Sequence, residues 1–327
     1  MIKDDSTPIG IKIGSLFPDK TLPLLIEPNG EKLQNFENFE NWVHENKGWI
    51  EEKLLKYGAL LFRGFPVEGA ENFQKVVTAY SPNLLNYVAG NSPRDLVTNK
   101  VYTSTNYPPS WNITMHNEVS YLKNVPKICF FYCLIPSKIG GETPIADCRT
   151  FLKNLDPEIK KRFIDKKIKY VQNFYDGVLG KSWQKTFETE DKSFVEDFCK
   201  KEDAQISWGK ESELKITYFR DATIKHPKTG EEVWFNQADQ WHSSTLDPST
   251  KEFLLKKMKP DEIPHNSFYA DGTEISDKDI EKIKNLYYDQ ATYFMWQKND
   301  FLLVDNILAT HGRKPFEGER KILVAMV

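Results

Sequence analysis

His116 and Glu118 stand two residues apart, and His311 lies close to the C-terminus. Two imidazoles and one carboxylate form the donor set of a facial triad. Such a triad holds iron(II) on one face of an octahedron and leaves the opposite positions open for chemistry. On an extended segment, residues i and i+2 project to the same side. His116 and Glu118 are therefore expected to share one ion while Asn117 faces away, with His311 delivered by another strand or strand end. Taken alone, a His-x-Glu pair in a chain with six histidines is an ordinary polar strand face.

Two further residues sharpen the pattern. Arg320 opens the apolar run 322–327. A guanidinium entering a core strand is costly unless it meets an anion, and its planar fork suits a carboxylate held at two points. Thr143 follows the pair Gly140-Gly141 and could give its hydroxyl to the same carboxylate. Other polar residues receive plainer readings. Arg63 and Arg313 read as partners of nearby carboxylates, and His242 as an exposed loop histidine. His44, His226 and His265 lack metal spacing. Arg220, Asn236 and Trp241 are weak candidates for substrate contact.

The elements that must position these residues follow from periodicity. A helix is predicted over 34–56, where Phe36, Phe39, Trp42, Val43, Trp49, Ile50 and Leu54 fall at mostly helical spacing and Gly58 ends the run. A buried strand over 59–62 and a helix over 70–80, stopped by Ser81-Pro82, come next. Strands are predicted around His116 and over 127–134, 143–147, 168–173, 215–224, 232–236, 300–305 and 320–327. Asp156-Pro157 caps a helix reaching about Lys166, and another helix spans 277–291. Residues 177–213 read as a charged, mainly helical insertion anchored by Trp183, Phe187, Phe194 and Phe198. No repeat or linker divides the chain, so one domain is expected over 1–327.

Bulk properties exclude some classes. At 327 residues, 39% hydrophobic and 28% charged, this is an ordinary globular composition. A formal net charge of −3 and the lack of a basic stripe argue against nucleic acid as a partner. No apolar run is long enough to span a membrane. Met1-Ile2-Lys3-Asp4-Asp5 does not read as a secretion leader, so the cytoplasm is the expected compartment. Cys129, Cys133, Cys148 and Cys199 read as buried free thiols, with Cys129 and Cys133 on one side of a strand.

The chain resembles the taurine dioxygenase superfamily of iron(II)/2-oxoglutarate oxygenases, in its clavaminate synthase-like branch. The resemblance runs through 58–66, 87–94, His116-Asn117-Glu118, 130–133, Gly140-Gly141-Glu142-Thr143-Pro144, Val233-Trp234-Phe235-Asn236, Trp296-Gln297, Asp305-Asn306 and 311–316. It implies a mainly β fold with flanking helices, a distorted jelly roll (double-stranded β-helix, cupin-like). It further implies His116, Glu118 and His311 as iron ligands. Thr143 and Arg320 correspond to the pair that binds the 2-oxoglutarate C5 carboxylate, and Asn112 to a substrate-site asparagine. Val324 stands where taurine dioxygenase has a second, sulfonate-binding arginine, which speaks against a sulfonate held that way. Glu118 stands where halogenating relatives have alanine or glycine, which favours oxygen transfer.

The resemblance implies iron(II), 2-oxoglutarate and dioxygen as the reaction partners. The expected reaction is hydroxylation at an unactivated C–H bond of a small amino-acid-like metabolite, with desaturation or ring closure as variants. One alternative is a tailoring oxygenase whose amino-acid substrate is tethered to a carrier protein, with Lys181, Lys185, Lys192, Lys200 and Lys201 as a candidate docking patch. Another is a non-oxidative cupin-like metal-binding module, for which a Thr143–Arg320 carboxylate clamp would have no use.

Overall fold

The protein is described by a computed structural model over residues 6–87, 89–90, 92–175, 179–210 and 212–327. The segment read for a leader lies outside these residues, as do Val88 and Asn91 of the 87–94 motif and part of the 177–213 insertion.

An eight-stranded sheet forms the frame. Its strand order is Ile11–Phe17, Lys20–Pro28, Ala59–Phe62, Phe301–Asp305, Ile128–Ile135, Lys321–Met326, Val101–Thr103 and Leu96–Thr98. The central strands are buried on both faces, and side chains alternate between two cores. Phe130 and Tyr132 join Leu60, Phe62, Phe301, Leu303, Leu323 and Ala325 in one core. That core is closed by the helices Phe36–Glu45, Lys47–Tyr57 and Gly69–Tyr80. Cys129, Phe131 and Cys133 face the other way with Leu61, Leu302, Val304, Ile322 and Val324. The cysteine pair thus shares a side as expected, and all four cysteines are free and buried.

The second face of the jelly roll comes from smaller sheets. Ile113–His116, Ala309–Arg313 and Ile145–Asp147 form one, in that order. Gln205–Trp208, Leu214–Arg220, Ile168–Phe174 and His265–Tyr269 form another. The insertion is therefore only partly helical: after Trp183–Phe187 and Lys192–Lys201 its last segment, Gln205–Trp208, adds an antiparallel edge strand.

The predicted helix over 34–56 is two helices, because Asn46 ends the first and starts the second. A helix at Pro248–Lys257, not predicted above, is capped by Asp247, whose side chain accepts from the Thr250 amide at 2.9 Å. No helix among the described residues is long and apolar enough to cross a membrane.

Candidate metal centre and co-substrate pocket

Strand pairing brings the two histidines together. His116, the last residue of its strand, sits directly opposite His311 in the antiparallel ladder, with ring centroids 4.7 Å apart. The strand ends at His116, so Glu118 reaches the site through a turn and not along an extended run. Val119, just beyond, takes a φ of 45°, a strained value for a β-branched residue.

Two asparagines hold that turn. The Glu118 amide donates to Asn306 Oδ1 at 2.6 Å, and Asn306 Nδ2 donates to the carbonyls of Glu118 and Pro126 at 3.0 and 2.9 Å. Asn117 faces away from the site, as expected, and donates to the Asn306 carbonyl at 2.6 Å.

The candidate ligand atoms of His116, Glu118 and His311 all lie within 4.8 Å of one another, and all three residues are buried. They form the one such group found among the described residues. His116 Nδ1 is 2.8 Å from the Thr114 carbonyl, so that nitrogen carries the proton and Nε2 is free to bind. Burial, followed by the neighbouring His311, pushes His116 down to about 4, so its ring is neutral near pH 7.

Burial alone would raise the Glu118 carboxyl. Arg94, together with His311 and His116, outweighs it and holds that carboxyl well below the usual range. Arg94 Nη2 donates to Glu118 Oε2 at 2.7 Å, with both side chains 4% exposed. Phe131, from the facing sheet, lies edge-on to His311 with centroids 4.8 Å apart. Two imidazoles and a charged carboxylate, all buried, fit iron(II).

Thr143 and Arg320 line the same cavity as His116 and His311. Buried Thr143 accepts the indole N–H of Trp296 on Oγ1 at 2.9 Å, which leaves its own hydroxyl hydrogen to give. Arg320 Nε donates to the Gly141 carbonyl at 3.1 Å. Gly141 has a φ of 75°, and a Cβ there would come within 3.0 Å of the Arg320 side chain, so only glycine lets the guanidinium pass. Burial, then the nearby Arg313, pushes Arg320 down to about 10; it stays charged at neutral pH and would gain from an anion. Gly312, next to His311, is equally constrained, since a Cβ would lie 2.7 Å from the Ile113 carbonyl.

Other residues depart from expectation. Asn112 is exposed, donates to the Tyr288 hydroxyl at 2.6 Å, and does not line the metal cavity. Arg63 pairs with Asp300 as expected, at 2.9 and 2.7 Å. Arg313 meets no carboxylate among the described residues: its terminal nitrogens donate to the carbonyls of Tyr107, Pro108 and Trp111 at 3.1, 2.6 and 2.8 Å, and it lines the metal cavity. His242 is buried, not exposed, and its ring caps the turn at Ser244. Burial lowers its pKa.

A larger cavity of about 630 Å³ adjoins the metal pocket. Pro93 and Tyr107 line the larger space; Ser92, Arg94 and Arg313 line the smaller one. The two therefore share the wall built by these neighbouring residues. Phe174, Leu246, Phe253 and Ile263 make the larger cavity mostly apolar, with Lys181 and Lys185 among its lining.

Comparison with known proteins agrees with this architecture. Residues 22–326 match the family described as taurine catabolism dioxygenase TauD, TfdA family. The chain is 38% identical over 278 residues to the dapdiamide synthesis protein DdaC of Enterobacter agglomerans, covering 85% of this chain and 84% of that protein. It is 27% identical over 327 residues to a clavaminate synthase-like protein of Arabidopsis thaliana, covering 95% and 94%. The fold is similar to that of PvcB, an iron, alpha-ketoglutarate dependent oxygenase from an isonitrile synthetic pathway, with a TM-score of 0.57 at 14% identity over 100% of this chain and 94% of that one. The chain belongs to the TauD/TfdA family of iron(II)- and 2-oxoglutarate-dependent dioxygenases.

Proposed function

We propose that this chain oxidises an unactivated C–H bond of a small amino-acid-like metabolite in the cytoplasm, with His116, Glu118 and His311 as the iron ligands. The observation that carries the reading is the buried His–Glu–His group with ligand atoms within 4.8 Å, in a cavity that also presents Thr143 and Arg320. Thr143 and Arg320 take the C5 carboxylate of 2-oxoglutarate, one as a hydroxyl donor and the other as a charged fork. Bound iron(II) and 2-oxoglutarate supply, with dioxygen, the oxidising power, giving succinate and carbon dioxide. The chain's part is to fix that chemistry against one C–H bond and to keep its own groups out of reach.

The primary substrate occupies the larger cavity behind Pro93 and Tyr107. The insertion contributes Leu179, Gly180, Lys181, Lys185 and Thr186 to its wall, as one part of a single oxygenase domain. Lys181 and Lys185 there are the feature that favours the second reading, a substrate delivered on an acidic carrier protein.

The test is anaerobic titration of the protein with iron(II) and 2-oxoglutarate. A weak visible charge-transfer band is expected, lost in His311→Ala and on chelation of the metal. Folded, iron-loaded protein without the band would sink the reading.

A further inference from the structure

Arg94 is more than a counter-ion for Glu118. Its Nη2 is committed to Glu118 Oε2 at 2.7 Å, and its guanidinium lies over the Tyr87 ring at 4.0 Å from the centroid. Its Nε and Nη1 are buried and have no hydrogen-bond partner among the described residues. A buried cationic donor left unpaired costs more than a neutral one, so a fold that retains such donors beside a ligand pocket normally fills them with ligand. Arg94 lines the metal cavity and follows Pro93, which lines the larger one. It thus stands at the junction of the two.

Charge balance points the same way. Arg94, Arg313 and Arg320 line the metal cavity, with Glu118 paired to Arg94 and Glu142 near Arg320, which leaves a formal charge of +1. Iron(II) and the 2-oxoglutarate dianion cancel each other, so that excess persists in the loaded pocket. Arg313 gives its terminal nitrogens to three backbone carbonyls. Arg320 is the group placed for 2-oxoglutarate. Among the described residues Arg94 keeps two buried unpartnered donors, Nε and Nη1, against one on Arg313, its Nε, in a low-dielectric site where an anion is favoured.

We infer that Arg94 anchors a carboxylate of the primary substrate at the junction of the two cavities, while holding Glu118 with its remaining nitrogen. The inference rests on the iron-centre reading above, and it narrows the substrate to an acid. Amino-acid-like compounds that have lost this carboxylate to an amide would bind poorly. Arg94 is in this sense a specificity-determining residue.

The experiment uses the full chain loaded anaerobically with iron(II) and 2-oxoglutarate. The charge-transfer band is recorded first, and its absence would remove the reading below the inference and the inference with it. The loaded protein is then titrated with free amino acids and N-acetyl amino acids, each paired with its carboxamide. Band perturbation and thermal shift are the readouts. At least one acid is expected to perturb the band, with its amide weaker by about tenfold or more, the value of a charged hydrogen bond. Arg94→Gln that still loads metal should lose the acid–amide difference, and Arg94→Lys should restore part of the preference.

Amides that bind as well as acids to the native protein would overturn the inference, and so would a normal band that no acid perturbs. An Arg94→Gln protein that loses 2-oxoglutarate affinity but keeps the acid preference would assign Arg94 to the co-substrate instead. Should Arg94→Gln fail to load metal, the native acid–amide comparison and Arg94→Lys still decide the matter.

Discussion

Trp296 donates its indole N–H to Thr143 Oγ1 at 2.9 Å, and both side chains are buried. That bond fixes which way the threonine hydroxyl points, because the oxygen accepts from the indole and its hydrogen must go elsewhere. Trp296→Phe keeps the ring and removes the donor. About fivefold weaker 2-oxoglutarate binding is expected, from roughly 1 kcal/mol for one lost orienting hydrogen bond. Titration of the charge-transfer band measures it, and unchanged affinity would detach Thr143 from the co-substrate.

Arg320 offers a fork where lysine offers a point charge. Arg320→Lys should raise the 2-oxoglutarate requirement by about tenfold and Arg320→Ala by about a hundredfold. Iron affinity should stay close to native in both, since Arg320 bonds to the Gly141 carbonyl and not to the proposed ligands. Succinate release against 2-oxoglutarate concentration reads the first effect, and anaerobic metal titration reads the second.

Asn306 is wholly buried and serves three backbone groups around the Glu118 turn. Asn306→Ala leaves the Glu118 amide and two carbonyls without those bonds. A loss of about 2–3 kcal/mol of folding stability is expected, because buried polar groups left unpaired carry their desolvation cost. Denaturant unfolding measures it. Metal affinity should fall in parallel, as Glu118 is freed to wander; a variant that loses stability but binds metal normally would refute the positioning role.

Asp239 is buried, and burial pushes its carboxyl up from 3.8 to about 7, opposed by Lys284. Between those values the folded protein keeps a proton that the unfolded chain has released. Asp239 therefore contributes stability fully below about pH 4, and this is lost as pH rises through about 7. Asparagine carries no such proton. The melting temperature of Asp239→Asn relative to the native protein should be higher at pH 8 than at pH 4.5. An equal difference at both pH values would show that the carboxylate is charged and compensated throughout.

Much of this architecture was legible because alternation and spacing are local. The strand Ile128–Ile135 sorts Phe130 and Tyr132 to one core and Cys129, Phe131 and Cys133 to the other, as period two dictates. His116, Glu118 and His311 are also brought together, although Glu118 comes through a turn and not along the extended run expected. Where local signals competed, the reading slipped. Asn46 splits a helix whose apolar spacing looked continuous. Asp247-Pro248 opens a helix with the same cap as Asp156-Pro157, but the sparse apolar content of Pro248–Lys257 hid it. Arg94 could not be found from its neighbours. It follows a Ser-Pro pair typical of turns, and its partner Glu118 is set by a long-range contact that leaves no periodic trace. His242 and Arg313 were misplaced for the same reason: the burial of one and the carbonyl partners of the other are set by distant segments that pack against them.

The asparagine clasp between Asn306 and the Glu118 turn has a consequence for how the protein is made. Chains fold during synthesis from the N-terminal side. His116 and Glu118 emerge well before Asn306, whose amide shapes their turn, and before the strand that carries His311. A nascent chain can therefore display two of the three candidate donors without being able to close the set around an ion. Closure of the candidate donor set waits until the Asn306 turn and the His311 strand have been made.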